Sequence, residues 1–455
     1  MPLDRMSDRH DLARITAALL DAARKAGATD ADALAVAGTS VAIDVRAGKL
    51  EQAERSEGVD IGLRVMVGQR QAAVAASDVR DITITRMAER AVAMAREAPE
   101  DRFLGLAHPD QLATDTDMTA LELYDPSNEP DPAQLEHDAR EAEAAALAVA
   151  GVTQVQSASG AYSHHRIHMA ATNGFDAGYA RTGRNISCIA ISGTGTNMQR
   201  DWDADGRVFQ ADLRGAADIG RIAGERAIAL QGARRIRSGS YPILFDERIS
   251  SSLIANLMNA LNGLSIARGS SFLRDAMGTQ VLPTGLSLTE EPHRKRIGGS
   301  RLFDAEGLQT RTRAIIEDGV LQSWTLDLAS ARQLGLQSTA NASRGTSGPP
   351  SPSAGNLRLT AGTASRADLI AQMGTGLLVT SFIGATINPN TGDYSRGASG
   401  FWVENGVVTH PVHEVTVAGN LRDMLLHLTP ANDGREDLSR VIPSLLVEGM
   451  TIAGE

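Results

Sequence analysis

Cysteine is almost absent: Cys188 is the one thiol in 455 residues. An internal disulfide is therefore impossible, and a cysteine-based zinc site is excluded. Aromatic residues make up only 4% of the chain, so Leu, Ile, Val and Ala must fill its cores. Lysine occurs only at Lys25, Lys49 and Lys295, which leaves arginine to carry nearly all positive charge. Arginine suits fixed ion pairs and backbone contacts better than flexible solvation. The formal net charge is −11, and no Lys/Arg cluster is long enough to override it. Both facts argue against a nucleic-acid partner. No apolar run approaches the ~20 residues that span a bilayer, and the opening MPLDRMSDRHD carries charges where a signal peptide needs an apolar stretch. A soluble, cytoplasmic protein with no membrane partner is expected.

What is present suffices for a globular protein. Hydrophobic residues are 42% of the chain, and its length favours two domains. A helix is predicted from Ser7, as cap, to Ala26, with Leu12, Ile15, Leu19 and Ala23 on one face. Short strands follow at Ala33–Val36, Val41–Asp44 and Leu50–Ala53, then at Val59–Val67 and Gln71–Ala76. Hairpin turns fall at Ala47-Gly48 and Gly68. A second helix starts at Asp78, with Ile82, Met87, Ala91 and Met94 at helical spacing, and Pro99 stops it. After a polar, proline-punctuated connection over 104–131, Pro132–Val149 reads as an Ala-rich helix. Strands alternate at Thr153–Ala161, Arg166–Thr172, Phe175–Arg181 and Arg184–Ser192, Asp205-Gly206 reads as a hairpin turn, and Leu213–Leu230 as a helix. Helix, antiparallel strands, helix thus occurs twice before residue 235, an internal echo.

Residues 234–240 are charged and small, and read as a solvated joint. The expected class is α+β, with an N-terminal helix and antiparallel-sheet domain over 1–235. A mostly antiparallel β domain with one central helix follows over 236–455. In it Tyr241–Phe245 is a strand and Glu247–Leu261 an amphipathic helix. Asp318-Gly319 joins Arg313–Ile316 to Val320–Trp324 in a hairpin, Leu369–Met373 is a short helix, and Val441–Ala453 closes the chain as a strand. Ser338–Asn356 is rich in Ser, Gly and Pro and reads as a mobile loop. Two apolar runs, Leu377–Ile387 and Gly400–Pro411, flank a Gly-rich loop at 392–397. Asn405-Gly406 then turns a hairpin.

Motifs for common chemistries are missing. Gly193-Thr194-Gly195 and Gly374-Thr375-Gly376 lack the third glycine of a dinucleotide fingerprint, and neither a P-loop nor a nucleophile elbow occurs. Ser395 lies in the Gly-flanked loop with no base nearby, which favours a structural role over a nucleophile. His164 and His168 share a face if their segment is a strand, as a metal would require, but no carboxylate completes a ligand set. Structural histidines are the better reading. His410 and His413 point to opposite faces and make no joint site.

The words GDYSRGASGFWVENG at 392–406 and VAGNL at 417–421 resemble the PmbA/TldE branch of the TldD/PmbA family. So do GSSFLRD at 269–275, FDAEGLQTR at 303–311 and SARQLG at 330–335. The resemblance implies a place in zinc metallopeptidase complexes whose TldD-type chain carries H-E-x-x-x-H and a C-terminal cysteine ligand. Here the matching register reads Asp246-Glu247-Arg248-Ile249-Ser250-Ser251, and the C-terminal region reads Ser439-Arg440-Val441-Ile442-Pro443-Ser444. Asp246, Glu247 and Ser251 then mark a degenerate metal site. Glu247 reads as a charge at a helix N-terminus. No catalytic residue, metal or cofactor is expected in this chain, and zinc is expected in a TldD-type partner. The resemblance implies a non-catalytic subunit, paired with that partner or with itself, acting on unfolded peptides. The alternatives are a peptide- or protein-binding homodimer without proteolysis, and independent hydrolysis through Glu247 or the histidine group. Asp393, Tyr394, Ser395, Arg396 and Gly397 are candidates for approach to substrate or partner, or form a structural turn.

Overall fold

A computed structural model describes residues 8–455. The first helix, α1, spans Asp8–Ala26, so the expected Ser7 cap lies outside the described residues. Three antiparallel strands follow: β1 (Asp30–Arg46), β2 (Lys49–Val67) and β3 (Arg70–Ala76). Helix α2 (Asp81–Glu97) closes the first unit. The second unit repeats it, with α3 (Pro132–Leu147), β4 (Val152–Ala171), β5 (Asp176–Ser192), β6 (Gln199–Arg207) and α4 (Ala216–Ala229). All six strands form one sheet in the order β3-β2-β1-β4-β5-β6, joined where β1 pairs with β4. The echo in the sequence is therefore a duplicated architecture within a single sheet.

Alternation explains the layering. Ala31, Ala33, Ala35 and Ala37 of β1 pack with α1 and α2, and Val41, Ile43 and Val45 of the same strand pack with α3. The small side chains let the helices lie close to the sheet. The strands are longer than expected, because Ala33–Val36 and Val41–Asp44 are one strand through Gly38. An added Cβ there would lie 2.6 Å from the ring of His165, so the glycine makes room for a neighbour instead of breaking the strand. Asp205-Gly206 is not a turn either: both pair with β5, at Ile186 and Asn185. In α2 the buried stripe is Ile84, Met87, Ala88, Ala91, Val92 and Ala95, while Ile82 and Met94 are exposed.

The C-terminal half begins with β7 (Gly239–Phe245), α5 (Glu247–Ala260) and α6 (Gly263–Ala267). Short elements follow: β8 (Leu288–Glu290), β9 (Arg313–Glu317), β10 (Val320–Leu321), α7 (Leu328–Leu334), β11 (Ala342–Ser343), β12 (Ser351–Pro352) and β13 (Leu357–Leu359). Then come α8 (Arg366–Met373), β14 (Gly376–Ile387), β15 (Asp393–Glu404), β16 (Val407–Asn420) and α9 (Leu421–Leu426). The chain closes with β17 (Leu428–Pro430), β18 (Arg440–Val441) and β19 (Leu445–Ala453). The order β16-β15-β14-β7-β19 closes on itself through a β16–β19 pairing, making a small barrel around α5 and an aliphatic core.

Three expectations are corrected. Segment 338–356 is packed, not loose: Asn341 and Asn356 are buried, Ala342 N donates to Asp304 at 2.9 Å, and Asn262 donates to the Pro352 carbonyl at 2.9 Å. Its polar side chains satisfy buried partners, which composition alone does not reveal. Of the Gly-rich stretch 392–397, Gly392 stays in the turn at φ +83°, while 393–397 is the start of β15, paired with β16 and in part with β14, and Gly397 sits under its neighbour: a Cβ there would meet the Ile383 carbonyl at 2.8 Å. The joint at 234–240 is also anchored, by an Arg234–Val412 bridge, the buried Ile236 and an Arg235–Glu414 ion pair of 2.9 Å.

Candidate functional site

Strand β7 ends at Phe245, and Asp246 turns the chain into α5. The Asp246 carboxylate caps the helix by accepting from Arg248 N at 3.1 Å, satisfying one of its free N–H groups. It also meets Arg366 at 3.0 Å and Arg248 Nε at 3.3 Å. Asp246 N donates to the Val379 carbonyl at 3.0 Å, and there the pairing between β7 and β14 stops. Beyond it, among the described residues, no strand pairs with that edge of β14. Residues 381–387 are largely exposed, with Ile383 at 72%. The barrel mouth thus presents an open strand edge beside the N-terminus of its central helix.

Phe382 ties this edge to the stretch singled out in the sequence. Its ring lies 5.9 Å from Phe245 on one side, and the Arg396 guanidinium stands 4.1 Å over it on the other. Arg396 Nε also donates to the Gly384 carbonyl at 3.0 Å. Asp393 is exposed and Ser395, Arg396 and Gly397 are half-buried. Tyr394 instead points into the barrel core, where burial pushes its hydroxyl up to about 12. Tyr394 therefore packs the barrel and presents nothing to an approaching molecule.

The two regions read as a degenerate metal site do meet. Ser250 Oγ donates to the Ile442 carbonyl at 3.3 Å, so Ser250, not Ser251, reaches the C-terminal segment. Ser444 N and Oγ both donate to Asp433 at 2.7 Å. Glu247 is half-buried, and burial, with Asp246 next to it, holds its pKa above the usual carboxylate range against the pull of Arg435. Arg435 pairs with Asp437 at 2.7 Å, Asp437 with Arg207 at 3.0 Å, and Arg248 with Asp201 at 3.0 Å. The α5 terminus is thus strapped to the edge strand of the N-terminal sheet. Asp433, Arg435, Arg366 and Phe382 were missed in the sequence, since no spacing signal links residues so far apart.

This donor set does not fit zinc. Two carboxylates, buried Asp246 and half-buried Glu247, and two serines face three guanidiniums, where a tetrahedral site requires imidazole or thiolate ligands. The histidine group offers no substitute at His168, whose Nδ1 lies 2.9 Å from Thr16 Oγ1 and Nε2 3.2 Å from Asp176. The His164 ring lies 5.4 Å from that of Tyr124, tilted by 51°. Among the described residues, no group of three or more His, Cys, Asp or Glu side chains is placed to hold a metal. A cavity of about 510 Å³ lies between the N-terminal sheet and segments 296–298 and 437–439. It does not include Glu247 or β14, and its link to the site runs through Asp437.

Three family models match consecutive parts of the chain: PmbA/TldA metallopeptidase domain 1 over 31–95, its central domain over 125–231 and its C-terminal domain over 238–454. The chain is 32% identical to metalloprotease PmbA of Escherichia coli O157:H7, across 94% of this chain and 93% of that protein. The chain belongs to the PmbA/TldD metallopeptidase family. Among solved structures, a Bacteroides thetaiotaomicron protein provisionally described as a modulator of DNA gyrase superposes with a TM-score of 0.88 at 27% identity, covering 97% of this chain and 98% of that one. TldE from Thermococcus kodakarensis shares the fold, with a TM-score of 0.83 at 19% identity over 97% and 100% of the two chains. Within the described residues of this PmbA/TldD-family chain, no helix is long and apolar enough to cross a membrane.

Proposed function

We propose that this chain is the non-catalytic, TldE-type subunit of a zinc peptidase, and that it holds unfolded peptide for a TldD-type partner. The observation that carries the reading is the unpaired edge of β14 beyond Val379, beside an α5 terminus whose side chains do not fit zinc. An extended peptide adds to such an edge through its own N–H and C=O groups, which gives affinity with little demand on sequence. Asp393, Ser395 and Arg396 lie on β15, on the other side of β14 from the bound segment, and only the Arg396 side chain crosses toward it, over Phe382. Tyr394 supports it only from within the barrel. In this reading zinc and the activated water belong to the partner, and Glu247 holds the helix terminus.

The test mixes the purified chain with a TldD-type protein and an unfolded peptide. Hydrolysis that requires both chains, and that falls when the exposed Ile383 is replaced in Ile383→Lys, is the expected result. A partner that cleaves equally well alone refutes the subunit role. Peptide binding without cleavage, with or without the partner, favours the second reading, a peptide-binding protein that uses the same edge.

A further inference from the structure

A small cavity of about 20 Å³ lies in the seam between the two halves of the chain. Asp32 of β1 and Arg64 of β2 line it from the N-terminal sheet, and Glu306 and Arg344 line it from the C-terminal half. Its other lining side chains, among them Leu34, Met169 and Phe175, are all apolar. The side chains of Arg64 and Arg344 are 5% and 2% exposed, and Asp32 is the one carboxylate that both contact. Arg64 turns Nε to it at 2.6 Å, and Arg344 turns Nη1 to it. Arg344 Nε reaches the Gly345 carbonyl at 3.3 Å, but Nη2 is buried and has no acceptor among the described residues. An orphaned donor on a buried cation is costly, and native proteins satisfy nearly all such groups.

The charges around the cavity do not balance. Burial pulls the pKa of Arg344 down to about 10, so it stays a cation at neutral pH. Burial and the Asp304 charge push Glu306 up to about 8, so there it is a neutral acid. Its Oε2 accepts from Leu328 N at 2.8 Å, which leaves Oε1 to carry the proton. The acids behind Glu306 are already engaged. Asp304 spends both oxygens on the backbone N–H groups of Glu306, Leu308 and Ala342 at 2.9–3.0 Å, and Asp327 accepts from Ser330 N at 2.8 Å. Neither of them lines the cavity. The lining thus sets two cations against one anion, and a buried charge requires a counter-charge within reach. We propose that the cavity binds one halide ion, chloride under ordinary conditions, held by Arg344 Nη2 with Arg64 and the Glu306 carboxyl around it. The space admits one particle of about water's size and is too small for sulfate, phosphate or a free carboxylate. The ion bridges the halves, because its donors come from both. The proposal does not depend on the subunit reading.

The experiment compares sodium chloride with sodium gluconate at constant ionic strength on the purified full chain. Thermal unfolding should shift upward with chloride and then saturate, as a ligand bound only by the folded chain requires. A crystal soaked in bromide should show an anomalous-scattering peak within hydrogen-bonding reach of Arg344 Nη2. Arg344→Gln should lose both the chloride shift and the peak. Affinity should also follow Glu306, whose ionised carboxylate repels the anion. Between about pH 7 and 9 the apparent dissociation constant should rise about tenfold, and Glu306→Gln should make it flat. Unfolding that is the same in chloride and gluconate, or a bromide soak that leaves only water in the cavity, overturns the proposal. So does a chloride shift that Arg344→Gln retains, which is a general salt effect, or an affinity in the parent that is indifferent to pH. The soak uses the unaltered chain, so it decides the matter even where Arg344→Gln fails to fold.

Discussion

Glu306 shows how burial sets chemistry at a single residue. Its side chain is partly buried beside Asp304, Asp327 and Arg64, and Oε2 accepts from Leu328 N at 2.8 Å. Burial first, and then the Asp304 charge, pushes its pKa up to about 8, with Arg64 pulling the other way. The folded chain therefore keeps a proton that the unfolded chain gives up from its ordinary value near 4.5 upward. Stability falls as pH rises across that window, since the unfolded state binds fewer protons. Glu306→Gln keeps an acceptor for Leu328 N and removes the titration. Its stability relative to the parent should grow between pH 5 and 8, by at most about 1.4 kcal/mol per pH unit, and level off above. Denaturant unfolding at several pH values checks this, and parallel pH profiles would show that Glu306 is not the titrating group.

Among elements, the α3–α4 pair shows packing that only glycine allows. A Cβ on Gly220 would stand 1.9 Å from the Ala142 carbonyl, and one on Gly224 would meet Val149 at 2.9 Å. Gly220→Ala must push α4 off α3 and the sheet beneath, and should cost about 1–3 kcal/mol or more. Gly348→Ala, where an added methyl meets nothing, should cost little. Equal midpoints in urea for the two variants would contradict this account of the helix pair. The same contrast marks what was legible in the sequence. Helices α1 to α5 and the turns at Ala47-Gly48, Asp318-Gly319 and Asn405-Gly406 follow from local periodicity and residues that accept positive φ. At 392–397 only Gly392 belongs to a turn, whereas Gly397 is interior to a strand, and the acidic–glycine pair at 205–206 is no turn. Their reasons are tertiary: Gly397 lies under Ile383, and Asp205 is buried against Arg207 and Arg214. At the site, the sequence marked Asp246, Glu247 and the segment from Ser439 to Ser444. The open edge of β14 was not visible there, because it depends on where β7 stops.

Across the whole molecule, the scarcity of lysine has a structural counterpart: arginines strap the C-terminal half to the N-terminal half. Arg332 donates to the carbonyls of Phe103, Gly105 and Leu106 at 2.8–3.1 Å, and Arg296 reaches Glu122 at 2.6 Å. The most enclosed of these struts centres on Asp32. It takes Arg64 Nε at 2.6 Å from within the sheet and Arg344 from the packed 338–356 segment. All three side chains are buried, so one carboxylate is shared between two guanidiniums largely withdrawn from water. Asp32→Asn removes the charge with little change in shape and strands both cations. Breaking a buried ion pair typically costs about 3–5 kcal/mol, so thermal unfolding should begin well below that of the parent. Glu225→Ala, which breaks the exposed pair with Arg221, should move it by less than about 1 kcal/mol. Because Asp32 ties Arg64 of the N-terminal sheet to Arg344 of the C-terminal half, its loss should also loosen their coupling, visible as a broadened or divided calorimetric transition. If Asp32→Asn unfolds like Glu225→Ala, in one sharp step near the parent's midpoint, apolar packing around Phe175 and Phe303 holds the halves together and the arginine struts are incidental.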